Sequence, residues 1–306
     1  MAQGLLWRAY TMQGTDMTNR HFDAFYSNGA SPLAIVLGTN EIASAVAVHL
    51  TVAGFAVAMC HDPSPPVIRR AMSFHDALFG DIATIEGVLG ERAENAIEIA
   101  KLLSGQRRVA VTPLDLTDLL ALRSPFALVD ARMQKHRVTP DYRGLARVTV
   151  GLGPNFVVDA NCDIAVETKP SRNGGIVADG ATAVADGEAR QLGGVGRERF
   201  VYTRHEGLWH TPVDLGMRVF KGFVLGHLDG APVHAPIDGL VRGIARDGAR
   251  MPAGVKLLEI DPRGRKAKWT GMDERGRAIA EATVSAIKIV AARKSAVGLA
   301  SHAFVH

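Results

Sequence analysis

LAIVLGTNEIASAVAVHLTVAGFAVAMC, residues 33–60, is the stretch on which the reading of the fold turns. Leu33 to Gly38 is a short apolar run closed by glycine, the pattern of a strand buried on both faces. Ile42, Val46 and Leu50 then stand four apart with alanines between them. That spacing predicts a helix with a small-residue face that stops at Gly54. Phe55 to Cys60 is a second apolar strand, followed by His61 and Asp62. Strand, tight turn, helix and strand within about thirty residues make a βαβ unit.

The alternation continues downstream. GERAENAIEIAKLLSGQ contains a helix ending near Gly105, and Val109 to Val111 is a third strand. DLTDLLALR reads as a short helix capped by Asp115. A fourth strand ends at Asp130, and Val148 to Leu152 is a fifth, running into the GLGPNF loop. CDIAVET is a sixth. Alternating strands and helices predict an α/β protein with a Rossmann-like doubly wound parallel sheet.

After residue 168 glycine, alanine and aspartate prevail, and from Arg199 short β-branched runs separated by Gly and Pro predict a small all-β unit. Two segments there repeat. EGLWHTPVDLGMRVFKGFVLGHLD (206–229) has Gly216 and Gly222 where VHAPIDGLVRGIARDGARMPAGVKLLEID (233–261) has Gly248 and Gly254. Two such halves predict a barrel-sandwich hybrid of biotinyl/lipoyl-like architecture. No lysine lies between Lys221 and Lys256, so neither lipoyl nor biotin is expected on it. From Met272 an amphipathic helix presents Ile279, Ala286, Ile287 and Val290 on one face. The expected division is a flexible N-terminal tail over 1–30, a Rossmann-like domain over 31–168, a connecting segment over 169–198, the hybrid domain over 199–263, and a C-terminal helix and tail over 264–306.

Composition narrows the function classes. Of 306 residues 47% are hydrophobic and 22% charged, with a formal charge of +4, as in an ordinary globular chain. Acidic residues are spread along the chain and no long Lys/Arg run occurs, which argues against nucleic acid. Two cysteines, Cys60 and Cys162, cannot build a disulfide framework and fit a reducing compartment. No window approaches the ~20 apolar residues of a membrane helix. The first thirty residues lack a basic segment followed by an apolar core. A cytoplasmic protein without membrane contact is expected, with self-association left open.

Candidate ligand contacts cluster at the predicted carboxyl ends of the strands, where open α/β sheets bind. Gly38-Thr39-Asn40-Glu41 occupies the place of a dinucleotide fingerprint. Gly38 suits the tight turn. Asn40 stands where a second glycine is usual, and Glu41 suits the helix dipole while repelling phosphate. Asp62 ends the second strand, where an acid can bond ribose hydroxyls, and Arg69 and Arg70 can hold a phosphate. Asp130 ends the fourth strand. Gly151 and Gly153 leave room for backbone amides to meet an anion, and Asn155 adds a polar side chain. Lys135 and His136 are the nearby candidates for acid–base work, without a partner legible in the sequence. The histidines show no metal spacing.

Taken together, GTNEIASAVAVHLTVAGFAVAM, PPVIRRAMSF, ALVDARM, VTVGLGPNF, IAVET, GMRVFKGFVLGHL and APIDGLVRGIARDG with KLLEIDPRG give a chain that resembles the selenium-dependent molybdenum hydroxylase maturation proteins. These are related to xanthine dehydrogenase accessory and CO dehydrogenase maturation factors. The resemblance runs from about Leu33 to Ala292. It implies an accessory maturation protein that handles a molybdopterin-type cofactor or nucleotide for a molybdenum hydroxylase client. It also implies that Gly38, Asn40, Arg69, Arg70, Asp130, Gly151, Gly153 and Asn155 meet the ligand. Asn40 departs from the family's more Gly-rich turn. The competing expectation is an NAD(P)-dependent oxidoreductase with a β-rich substrate domain.

Overall fold

The computed structural model describes residues 20, 23–27, 29–135, 137–187 and 189–303, with side chains described up to 296. Most of the expected N-terminal tail, and His136, lie outside the described residues.

Nine strands form one sheet: β1 (Leu33–Leu37), β2 (Ala56–Cys60), β3 (Ala83–Ile85), β4 (Val88–Arg92), β5 (Arg108–Thr112), β6 (Ala127–Asp130), β7 (Val148–Leu152), β8 (Ile164–Val166) and β9 (Ile176–Val177). Their order is β3-β4-β5-β2-β1-β6-β7-β8-β9, parallel except for the edge strands β3 and β9. Helices α1 (Glu41–Val52), α2 (Ala96–Leu103) and α3 (Leu116–Leu122) follow β1, β4 and β5.

The apolar run of β1 is explained by burial on two sides. Ala34 and Val36 face one core with Val46 of α1, while Leu33, Ile35 and Leu37 face another with Ile99 of α2 and Leu119 of α3. The long helix α4 (Glu274–Ala303) packs into the first core through Ile279, Ala280, Ala286, Ile287 and Val290. Small residues allow its close approach to α1. A Cβ placed on Gly276 would lie 3.3 Å from that of Ala45.

The second unit holds β10 (Phe200–Tyr202), β11 (Gly207–His210), β12 (Arg218–Val219), β13 (Val224–Leu228), β14 (Ala231–His234), β15 (Gly239–Ile244), β16 (Arg250–Met251) and β17 (Lys256–Asp261). They form two four-stranded antiparallel sheets, β10-β17-β15-β12 and β14-β13-β11-β16. A separate core including Trp209, Leu225, Val241, Met251, Leu258 and Ile260 lies in this unit. The repeated glycines at 216, 222, 248 and 254 all adopt positive φ, so the repeat is one of turn geometry.

The segment after β2 joins the two units. Ile68 lies in the second unit's core, and its carbonyl accepts the Ile244 N–H at 2.8 Å. The chain is thus α/β, with one large, mostly parallel sheet and two antiparallel ones. The expected elements lack the β3–β4 hairpin, while the helix expected within residues 90–106 is α2. β4 occupies Val88–Arg92, and α2 starts after its cap, Asn95.

Candidate functional site

β1 is central, and the chain runs from it toward β2 and β5 on one side and later through β6 to β8 on the other. The crevice expected at such a reversal lies between the ends of β1 and β6. Gly38 has φ +101°, and a Cβ there would stand 3.2 Å from Arg132 Cα and 3.3 Å from the Ala131 carbonyl oxygen. Its glycine therefore serves the close approach of two chain segments. Asn40 completes the closure. Its Oδ1 accepts from the Ile42 and Ala43 amides at 2.9 and 3.0 Å, and its Nδ2 donates to the Ala131 carbonyl at 2.7 Å. The asparagine that departs from a glycine-rich turn is thus the N-cap of α1, and it already occupies amides a phosphate would use.

Thr39 is buried, with its hydroxyl 2.9 Å from His75 Nδ1. Burial, then the neighbouring His61, Arg70 and Arg246, push the His75 pKa down to about 3, so this ring is neutral near pH 7. The Cys60 thiol is pushed up to about 12, chiefly by burial and then by Asp115, and it donates to the Leu114 carbonyl at 3.1 Å.

Asp62 and Asp130 converge on Arg132. Arg132 reaches Asp130 at 2.7 Å, Asp62 at 3.3 Å and the Tyr142 hydroxyl at 2.5 Å. Gln134 donates to Asp62 at 2.8 Å. A shallow cleft is lined by Gly38, Thr39, Asn40, Asp62, Ser64, Pro65, Val67 and Arg132. In the GLGPNF loop Gly151 makes space for a ring, since a Cβ would fall 2.0 Å from Phe156 Cδ1. Gly153 packs near Met133 and Thr168, and Asn155 donates to the Lys135 carbonyl at 3.2 Å.

Arg69 and Arg70 point into the seam between the units. Arg70 donates to the Ile244 carbonyl at 3.0 Å and pairs with Asp76 at 2.6 Å. Arg69 bonds Glu259 on β17 at 2.7 Å and Glu41 at 2.5 Å. Burial opposes its charge, but Glu259 and then Glu41 outweigh that, and its pKa lies above the ordinary value. Glu259 also bonds Arg199 at 3.0 Å and lies 3.6 Å from Arg242. Burial favours its neutral form, yet Arg69, with Arg242 and Arg199, holds its pKa at about 2. Arg242 in turn pairs with Asp273 at 2.8 Å.

Two cationic groups of the seam lack anionic partners. The Lys256 ammonium lies 4.1 Å from the centre of the Phe200 ring and makes no hydrogen bond or ion pair among the described residues. Burial, then Arg69, lower its pKa to about 8 despite Glu259 and Glu41, with Lys135 adding to the fall. Arg275, near the start of α4, donates through one Nη to the Thr168 carbonyl at 3.1 Å, while its Nε is buried without a partner. Burial lowers its pKa, with Glu41 opposing and Arg69 and Arg190 contributing.

The structure brings Glu41 and Arg69 together, sets Asp62 and Asp130 around Arg132, and places Arg70, Gly151, Gly153 and Asn155 in separate contacts. Lys256, Glu259, Arg242 and Arg275 were not singled out from the sequence. A signal existed: GLVRGI and KLLEID are apolar strands interrupted by charges, and a charge in a buried strand requires a partner. Among the described residues no group of three or more His, Cys, Asp or Glu side chains is arranged to hold a metal ion. No described helix is long and apolar enough to cross a membrane.

No family model matches the chain. A curated relative, the Uncharacterized protein YqeB of Escherichia coli (strain K12), is 32% identical over 260 residues, covering 84% of this chain and 48% of that protein. The chain thus spans about half the length of the curated relative it matches. Among solved structures, the ectoine utilization protein EutE (DoeB) of Ruegeria pomeroyi aligns at TM-score 0.24 and 16% identity, over 76% of this chain and 86% of that one. A succinylglutamate desuccinylase from Silicibacter sp. TM1040 aligns at 0.23 and 12%, over 76% and 85%. A succinylglutamate desuccinylase/aspartoacylase from Rhodobacter sphaeroides aligns at 0.22 and 13%, over 76% and 85%. At these TM-scores the likeness passes no activity or substrate to this chain.

These findings correct the resemblance read from the sequence. None of these proteins is named as a molybdenum hydroxylase maturation factor, and the solved structures are named as an ectoine utilization protein and as desuccinylase- or aspartoacylase-type proteins. The maturation role, the molybdenum hydroxylase client and the NAD(P)-oxidoreductase alternative are withdrawn on that ground. The Rossmann-like and barrel-sandwich labels go with them, and the coarser α/β description stands.

Proposed function

We propose that the chain binds a small phosphate-bearing ligand of the nucleotide type at the seam between the carboxyl edge of the large sheet and β17. The observation that carries this reading is the pair of cationic donors without anions among the described residues, the half-buried Lys256 ammonium and the buried Arg275 Nε. Buried donors are rarely left without an acceptor, and charged donors bond phosphate oxygens more strongly than neutral ones do. The turn at Gly38 supports the same location by exclusion. Its helix amides are filled by Asn40, so an anion near this edge has its best donors on the seam side.

The experiment is calorimetric titration of the full chain with AMP, CTP and inorganic phosphate. Wild-type protein should bind at least one of them, and Lys256→Met should weaken that binding at least tenfold with its melting transition intact. Absence of binding to every phosphate compound, or equal affinity in Lys256→Met, would remove the proposal.

A further inference from the structure

Arg69 has two carboxylate partners of unlike standing. The Glu259 side chain is wholly buried, whereas that of Glu41 keeps 18% of its surface open. Glu259 is held on its other side by Arg199 and is a fixed part of the seam. Glu41 is held by Arg69 at one oxygen and begins α1, whose N-terminus is already capped by Asn40. Its carboxylate can therefore leave without uncapping the helix.

Glu41 also acts electrostatically on Lys256 and Arg275, the two donors that lack anions. Arg69, Arg199, Arg242, Lys256 and Arg275 bring five positive charges here, against three negative ones from Glu41, Glu259 and Asp273. Asp261 is set aside because Arg263 balances it at 2.6 Å. The exposed Lys135 adds a further positive charge near Lys256, so the excess is positive, the sign that a phosphate group neutralises.

We propose that Glu41 is a resident stand-in for the ligand: its carboxylate occupies, on Arg69, the position that a phosphate group takes, and the ligand binds by displacing it. This inference rests on the phosphate-site reading above and adds the group that sets its selectivity. A doubly charged phosphate offers Arg69 more anionic oxygens than the single carboxylate it replaces and adds charge near Lys256 and Arg275, whereas an uncharged nucleoside offers no anionic oxygen. Removing the competing carboxylate while keeping its shape should make binding tighter, the reverse of what a ligand-contacting residue gives.

The test titrates inorganic phosphate and AMP, with adenosine as the uncharged control, into the wild-type chain and into Glu41→Gln. Glu41→Gln should bind phosphate and AMP at least tenfold more tightly than wild type, and neither protein should bind adenosine. Loss of the Arg69 pair could weaken the fold, so Glu41→Asp is titrated as well. Its shorter arm withdraws the charge from Arg69 without abolishing it, and an affinity between the other two is expected. If phosphate binds wild type while Glu41→Gln and Glu41→Asp bind equally or more weakly, Glu41 is no stand-in, though the site survives. If no protein in the series binds phosphate or AMP, the site reading itself fails and takes this inference with it.

Discussion

Lys256 shows at the scale of one residue what withdrawing a charge from water costs a fold. Its ammonium is taken partly out of water and set near two other cations, Arg69 and Lys135, and its pKa falls from 10.5 to about 8. The folded state holds this proton less tightly than the unfolded chain does. Between pH 8 and 10.5 the unfolded state therefore carries more of the proton, and stability rises with pH across that window. The penalty is fully present below pH 8 and fades toward 10.5. Contact with the Phe200 ring offsets part of it. Lys256→Met keeps the apolar stem and removes the charge, so it should be more stable than wild type at pH 7 by about 1–2 kcal/mol. That advantage should shrink as pH approaches 10.5. Urea unfolding at pH 7, 9 and 10.5 checks this. A variant less stable than wild type at pH 7, or a difference that does not change with pH, would refute the account. The charged seam was partly legible at this scale. Glu41 and Arg69 stood out because they sit at a strand end and in the loop beyond the next strand. Lys256 and Arg275 did not, because their meaning comes from neighbours far away in sequence.

The elements were legible where pattern and environment agree. The β1 run and the alanine stripe of α1 both report burial, and burial decides them. The β3–β4 hairpin was hidden by its turn. Glu86 and Gly87 have φ of 50° and 75°, the two-residue geometry of a tight hairpin, but Glu-Gly lacks the familiar Asn-Gly signal. The stripe on α1 also predicts tolerance. Ala45 is 1% exposed, and Gly276 of α4 lies directly against it. A larger residue must push α4 off the sheet or adopt a poor rotamer. Ala45→Leu should lower stability by about 1–3 kcal/mol despite adding apolar surface. An unchanged or raised denaturation midpoint would show that the helices separate freely, and that the small-residue contact does not set their distance.

Across the whole molecule, the two units meet through charge as well as through apolar packing. Ile68 threads one core into the other, but the seam beside it is ionic, with Glu259 at its centre bonding Arg69 and Arg199 and lying 3.6 Å from Arg242. A buried ion pair adds little over an apolar substitute, yet removing one partner leaves the others uncompensated. Glu259 is the sole buried carboxylate common to these three guanidinium groups among the described residues, so its loss leaves Arg199 without a carboxylate and Arg69 and Arg242 dependent on Glu41 and Asp273. Glu259→Gln, nearly the same size, should destabilise the protein by about 3–5 kcal/mol at pH 7. The same residue sets an acid dependence. Its folded pKa of about 2 lies below the ordinary 4.5, so its contribution is present above pH 4.5 and is lost as pH falls toward 2. Between pH 5 and 3 the wild type should therefore lose stability more steeply than Glu259→Gln, and the two denaturation midpoints should converge. Parallel urea titrations at pH 7, 5, 4 and 3 give the comparison. Two midpoint curves that run parallel down to pH 3 would mean that Glu259 is not the charge on which the seam depends.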